Sequence, residues 1–87
     1  MEQRGEIMNK IFNSEAEKYN TFFLLGRIYQ YYIQQYDKQR FVYGVTEKPN
    51  CNLYILMDRL EQMQFNHNIS YEKLPYGVKI IFTKKEN

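Results

Sequence analysis

The 87-residue chain has few of the residues that carry metal and disulfide chemistry: one cysteine, one histidine and no tryptophan. With Cys51 alone, no disulfide forms within the chain, so we expect an intracellular protein, placed in the cytoplasm of a bacterial host cell. A structural zinc site needs about four Cys or His ligands and a catalytic one about three. Cys51 and His67 are too few, and we expect neither a metal nor a cofactor.

Long apolar runs and glycine-rich loops are also missing. No stretch approaches the roughly 18–20 apolar residues of a membrane span, and we expect neither a signal peptide nor membrane contact. The four glycines stand singly, so there is no phosphate-binding loop. The formal charge of +2, from 12 basic and 10 acidic residues, is too balanced to indicate nucleic acid by itself.

The sequence offers no catalytic constellation. Cys51 and His67 form the one candidate nucleophile–base pair, and they fall at opposite ends of a predicted helix, about 20 Å apart. We expect Cys51 in the first helical turn, where its thiol pKa would be lowered, and His67 in a solvent-exposed turn. Asp58 and Glu61 are typical of a solvated helix face. The chain is therefore predicted not to be an enzyme.

Aromatic residues are abundant, and they concentrate in one long predicted helix. Ser14 followed by Glu17 has the capping-box pattern, so the helix is predicted over 14–37, about 36 Å long. Its apolar positions alternate spacings of three and four, which predicts a packed seam. The seam residues are Tyr19, Phe22, Gly26, Tyr29, Ile33 and Tyr36. Gly26 on this seam favours close approach of another backbone.

The rest of the chain predicts a small sheet and a second helix. A strand is predicted over 41–46, a helix over 51–64 and a hairpin with strands at 69–73 and 78–83, joined by a type I turn at 74–77. The order is α–β–α–β–β: an α+β fold in which a long and a shorter helix pack on a small antiparallel sheet that ends in a C-terminal β-hairpin. We predict one domain over 14–83, preceded by an extension or short helical turn at 1–13 and followed by a basic tail at 84–87.

The leading functional hypothesis is a small non-enzymatic binding protein that docks on another macromolecule, most readily a protein. The motivation is the excess of apolar surface on the first helix, because Tyr, Phe and Met are enriched at interface cores. A phage or mobile-element modulator or inhibitor of a host enzyme or defence complex would fit. The alternatives are a homodimer through the 14–37 helix, or tyrosines that cap the core. The predicted contact residues are Arg27, Tyr29, Tyr31, Tyr32, Tyr36 and Ile55.

The second hypothesis is a winged-helix-like DNA-binding transcriptional regulator. Residues 56–61, followed by a hairpin and Phe82-Thr83, loosely resemble the recognition helix and wing of MarR-type regulators, which implies a dimer that binds DNA. Two departures weigh against it: a strand is predicted where the preceding helix should lie, and the wet helix face carries two acids. Its candidate contacts are Lys48, Asn52, Arg59, Lys73, Lys79, Lys84 and Lys85.

Overall fold

The computed structural model describes residues 12–46 and 50–86. Its elements are α1 (Glu15–Gln35), β1 (Arg40–Val45), α2 (Leu53–Gln62), β2 (His67–Leu74) and β3 (Gly77–Lys84). The predicted α+β class and the α–β–α–β–β order are confirmed. The helical turn predicted before Ser14 lies almost wholly outside the described residues.

Polar side chains cap the start of both helices. Ser14 has extended backbone, and its Oγ accepts a hydrogen bond from the Glu17 N–H at 3.0 Å. The Glu17 carboxylate turns back to accept from the Asn13 N–H at 2.9 Å, so the capping box reaches one residue beyond the cap. Asn52 caps α2 in the same way, with its Oδ1 accepting from the Ile55 N–H at 3.1 Å.

Both helices are shorter than their apolar patterns predict. α1 ends at Gln35 with Tyr36 as its C-cap, and α2 ends at Gln62. Just beyond α2, Gln64 has φ of 55°, a left-handed conformation in which an α-helix does not continue. Apolar periodicity continues past these ends because it reflects packing rather than backbone geometry.

The three strands form one antiparallel sheet in the order β1-β3-β2. Val78, Ile80 and Phe82 of the central strand are buried beneath the helices, and the alternate positions Lys79, Ile81 and Thr83 face away, as predicted. The hairpin loop has no positive φ, which is compatible with the predicted type I turn.

An aromatic cluster around Tyr32 fills the core between α1 and the sheet. The Tyr32 ring stacks on Phe65 with a centroid distance of 4.0 Å, and it lies 5.7 Å from Phe41 and 5.5 Å from Phe82. Ile28, Leu56, Leu60, Ile80 and Phe82 are fully buried around this cluster.

His67 lies inside this core, so the prediction of a solvent-exposed turn residue was wrong. It is only 2% exposed. Its Nε2 lies 2.8 Å from the Lys38 carbonyl oxygen, so that nitrogen donates, and Nδ1 accepts from the Tyr32 hydroxyl at 2.7 Å. The same hydroxyl accepts from the Asn66 N–H at 3.0 Å. These hydrogen bonds connect α1 to the start of β2, and each polar atom that takes part in them has a partner.

Candidate protein-docking surface

The predicted seam of α1 has the expected spacing, yet it faces away from the domain. The buried residues of α1 are Glu17, Thr21, Ile28 and Tyr32, on the opposite side of the helix. The alternative in which the tyrosines cap the core therefore does not hold for Tyr19 and Tyr36, which are 67% and 60% exposed. We call the exposed set the outer seam. It comprises Tyr19, Phe22, Phe23, Gly26, Tyr29, Ile33 and Tyr36.

The choice between the two stripes follows from hydrogen bonding. Thr21 donates to the Glu17 carbonyl at 2.7 Å and accepts from the Asn52 N–H at 2.9 Å, so its buried hydroxyl connects α1 to the cap of α2. Tyr32 makes its own buried hydrogen bonds at the other end. The inner stripe thus satisfies its polar atoms inside the core, as buried groups must, and the outer seam is left uncovered within the described part of the chain.

Large apolar side chains of the outer seam are open to solvent. Tyr19 is 67% exposed, Ile33 50% and Tyr36 60%. Tyr19 stacks on Phe23 at 5.9 Å between centroids, and the two help line a shallow apolar groove of about 460 Å³. Contiguous exposed apolar surface makes this face of α1 a candidate contact site.

Neighbouring residues hold the seam rings in place. Phe22 lies 6.0 Å from Phe12 and 5.8 Å from the Arg59 guanidinium, and Tyr29 stacks on Phe65 at 6.2 Å. Rings already held against the domain lose less side-chain freedom when a partner covers them. The outer seam is therefore pre-organised for contact.

Gly26 opens the middle of the outer seam. It is exposed, and a Cβ built on it would meet no heavy atom within 4 Å. Nothing in the described residues makes the predicted close approach to its backbone. Since glycine costs about 1 kcal/mol relative to alanine inside a helix, the position carries a stability cost with no internal packing gain.

The six predicted contact residues fall in three places. Arg27, Tyr29 and Tyr36 are exposed, with the Arg27 guanidinium 5.7 Å from the Phe23 ring centroid. Tyr31 is half-buried and donates to the Val42 carbonyl at 2.8 Å, and Ile55 is half-buried on α2. Tyr32 is a core residue, 7% exposed, and is removed from the candidate surface. Four large apolar seam residues were absent from the predicted contact set: Tyr19, Phe22, Phe23 and Ile33. The three–four spacing of all but Phe23 was visible in the sequence.

The basic residues of the DNA hypothesis do not converge on one surface. Lys79 pairs with Glu72 at 3.2 Å. Lys73 lies opposite Val78 near the hairpin tip, and Lys84 lies opposite His67, so six residues of strand, about 20 Å, separate them. Lys85 is exposed just beyond Lys84.

The helix-side candidates are also occupied or outside the described residues. Asn52 serves as the α2 cap, Arg59 lies over the Phe22 ring, and Lys48 falls in the gap at 47–49. The element before α2 is β1, so the described chain has no helix-turn-helix pair there. DNA binding stays a prediction.

Cys51 lines a cleft of about 660 Å³ between the helix starts and the hairpin, together with Glu17 and Lys73. Burial, with the negative charge of Glu17 as a smaller cause, raises the pKa of its thiol. The predicted lowering was wrong, because Cys51 is half-buried and precedes the α2 cap instead of lying in its first turn. The thiol is protonated at neutral pH and is a poor nucleophile.

Two features are absent from residues 12–46 and 50–86. No three His, Cys, Asp or Glu side chains are grouped so that they could hold a metal ion. None of the described helices combines the length and apolarity that crossing a membrane requires. Comparison of the chain with protein-family models, curated protein sequences and solved structures returns no match.

Proposed function

We propose that this chain is a small binding protein that docks, through the outer seam of α1, on an apolar helix of another protein. The observation that supports this most directly is the exposure of six large apolar side chains on one face of a helix whose other face already forms the core. Burying a fully exposed large apolar side chain contributes on the order of 1.5–3 kcal/mol, and these side chains have 38–67% of their surface left to bury. A partner that covers them gains affinity without any rearrangement of the domain.

The spacing of the seam supports a helical partner. Steps of three and four residues bring side chains into one line along a helix, which is the pattern that knobs-into-holes packing requires. α1 is about 31 Å long, enough for about five turns of a partner. Gly26 at its centre lets a partner side chain approach the backbone.

Charge supports a protein partner over a nucleic acid. α1 carries Glu15, Glu17, Lys18 and Arg27, two acids and two bases, so the helix has no net charge. DNA binding depends on basic side chains that neutralise phosphates, and the outer seam itself has none.

A synthetic helical peptide with leucines at three–four spacing tests the proposal. Its fluorescence anisotropy should rise on addition of the protein, and a scrambled peptide of the same composition should bind at least about tenfold more weakly. Ile33→Glu should abolish binding because it places a charge in the seam. The matched control Gln34→Glu adds the same charge one residue away, off the seam, and should bind like wild type. Equal binding by both variants would overturn the proposal.

The DNA alternative makes its own prediction. If the hairpin contacts phosphates, binding to a mixed-sequence duplex should weaken steeply between about 50 and 200 mM salt. Lys79→Ala with Lys84→Ala should then reduce the salt slope by about two. Since Lys79 is paired with Glu72, we expect no binding at either salt concentration. A steep salt dependence that the double variant flattens would favour the winged-helix hypothesis.

A further inference from the structure

Six of the seven outer-seam positions are symmetric about one midpoint. They form three pairs centred between residues 27 and 28: Tyr19 with Tyr36, Phe22 with Ile33, and Gly26 with Tyr29. A two-fold axis placed at that midpoint therefore superimposes these six positions on one another with the helix direction reversed. Phe23 lies outside this pairing, because its image is position 32, which is in the core.

Antiparallel pairing of two such helices gives complementary layers. Alternate seam positions form two classes, one at 19, 26 and 33 and the other at 22, 29 and 36. In an antiparallel coiled coil each position of one class faces a position of the other class. In the symmetric register Gly26 therefore faces Tyr29 of the second copy. The open space over Gly26, where a Cβ meets nothing within 4 Å, receives the Tyr29 ring in both halves of the pair. Parallel pairing would set Gly26 against Gly26 and Tyr29 against Tyr29, and it would leave the space over Gly26 unfilled in both copies.

The exposed area is close to what a stable dimer needs. Six seam side chains are each between 38% and 67% exposed, and an aromatic side chain offers about 150–250 Å². Together they present on the order of 500–600 Å² of mainly apolar surface per copy. A standard interface buries about 800 Å² per partner, so the apolar surface of the seam amounts to about two thirds of that area.

Charge at the ends of the seam does not oppose the pairing. Glu15, Glu17 and Lys18 lie near its start, and Asp37, Lys38 and Arg40 lie after its last residue. In this register position 18 faces position 37 of the second copy, 17 faces 38 and 15 faces 40, so each acid faces a base. The core of the domain lies on the other side of α1, opposite the outer seam.

We infer that the chain forms a homodimer through antiparallel α1 helices, with Gly26 of each copy receiving Tyr29 of the other, and that this dimer is the resting form of the docking surface. The inference rests on the proposed function only in its last part: a partner helix must displace one copy. The occupant is a second copy because the reversed image of the seam sets the open Gly26 position against the large Tyr29 side chain twice in one pairing.

Sedimentation equilibrium of the purified chain tests the dimer. We expect wild type to be dimeric at about 100 µM, and Ile33→Glu to raise the dissociation constant at least about tenfold, with Gln34→Glu unchanged. Gly26→Ala is the sharper variant: it should raise the melting temperature of dilute monomer, since alanine favours helix, and weaken the dimer, since the methyl occupies the Tyr29 site. A monomeric wild type, or a Gly26→Ala dimer as tight as wild type, would overturn the inference.

Disulfide mapping tests the direction of the pairing. In a Cys51→Ser background, chains with Tyr19→Cys and chains with Tyr36→Cys are mixed and mildly oxidised. Both positions are well exposed, so the fold should tolerate the changes. Antiparallel pairing predicts a mixed disulfide between residues 19 and 36, and each chain alone should cross-link poorly. Predominant 19–19 and 36–36 products would show parallel pairing and overturn the register.

Failure of the dimer and failure of the docking function have different readouts. Sedimentation uses the purified chain without peptide, whereas peptide binding is measured on dilute protein, where the seam is free. If the chain is monomeric and still binds the periodic peptide, the proposed dimer is ruled out and the proposed docking function is retained. If excess peptide does not dissociate the dimer, the dimer is not the resting form of a docking surface.

Discussion

Tyr32→Ala is expected to lower the free energy of unfolding by about 4–6 kcal/mol, enough to unfold much of so small a domain. Removing a buried aromatic ring costs about 3–5 kcal/mol, and here the ring contacts Phe65, Phe41 and Phe82. Its hydroxyl also joins the Asn66 N–H to His67, and each polar atom left buried without a partner adds about 1–3 kcal/mol. Domains of this size are stable by only about 5–15 kcal/mol.

Two further variants separate the parts of this effect. Tyr32→Phe keeps the ring and removes only the hydroxyl, so it should cost about 1–3 kcal/mol. Tyr36→Ala alters a tyrosine of the same helix that is 60% exposed, and we expect a change within about 0.5 kcal/mol. Urea unfolding followed by circular dichroism measures all three. If Tyr32→Ala were as stable as Tyr36→Ala, the packing of α1 described above would be wrong.

Burial of the Tyr32 hydroxyl also makes the stability of the fold depend on pH in the alkaline range. Desolvation raises the pKa of the Tyr32 hydroxyl above its usual 10.0, while the Asn66 N–H acts in the opposite direction and is the smaller cause. The folded state therefore holds this proton more tightly than the unfolded state. The corresponding stability is complete below pH 10 and is lost as the pH rises through the folded-state pKa.

Gly77→Ala is expected to be the second most damaging change, at about 2–3 kcal/mol. A Cβ on Gly77 would overlap the Val45 carbonyl oxygen and crowd the Val45 and Thr46 carbonyl carbons. These are backbone atoms at the end of β1, so no side chain can move aside to relieve the contact. Gly77 has no positive φ, and the cost is therefore steric, arising from the close approach of β1 to the start of β3.

Gly44→Ala is the matched control, since Gly44 is also a strand glycine. It is exposed, and a Cβ there meets nothing within 4 Å. Alanine should be neutral or slightly stabilising at this position, because glycine is unfavourable inside a strand. Thermal unfolding of the two variants beside wild type measures the difference. Equal stability of the two would mean that the β1–β3 pairing at Val45 and Val78 is looser than the structure has it.

The boundaries of the fold depended mostly on local signals. Ser14 caps α1 with its side-chain oxygen, an interaction confined to one turn, so the neighbouring residues sufficed to predict it. The second helix was predicted from residue 51, whereas it begins at Leu53 after its cap, Asn52. The hairpin followed from Pro75 and Gly77 between two alternating runs. Helix ends were less well predicted, because Tyr36, Asp37 and Met63 continue the periodic pattern past the residues where the backbone turns away.

The sequence pattern of the candidate surface could be recognised, but the sequence did not show whether that side of α1 faces the sheet or the solvent. The three–four spacing from Tyr19 to Tyr36 was predicted as a packed seam, and the spacing is present in the structure. A second stripe, through Thr21, Ile28 and Tyr32, runs along the same helix. Periodicity shows that a stripe is apolar and cannot show which of two stripes meets the sheet.

The sequence by itself determined the class, the element order and the alternation of β3, because caps, turns and periodicity act over a few residues. Tertiary structure alone decided that His67 is buried, that the pKa of Cys51 is raised, and that the inner stripe of α1 forms the core. His67 meets Tyr32 across 35 positions of sequence, and Cys51 meets Glu17 across 34. Such contacts depend on how the elements pack, and packing is what turns the outer seam toward solvent.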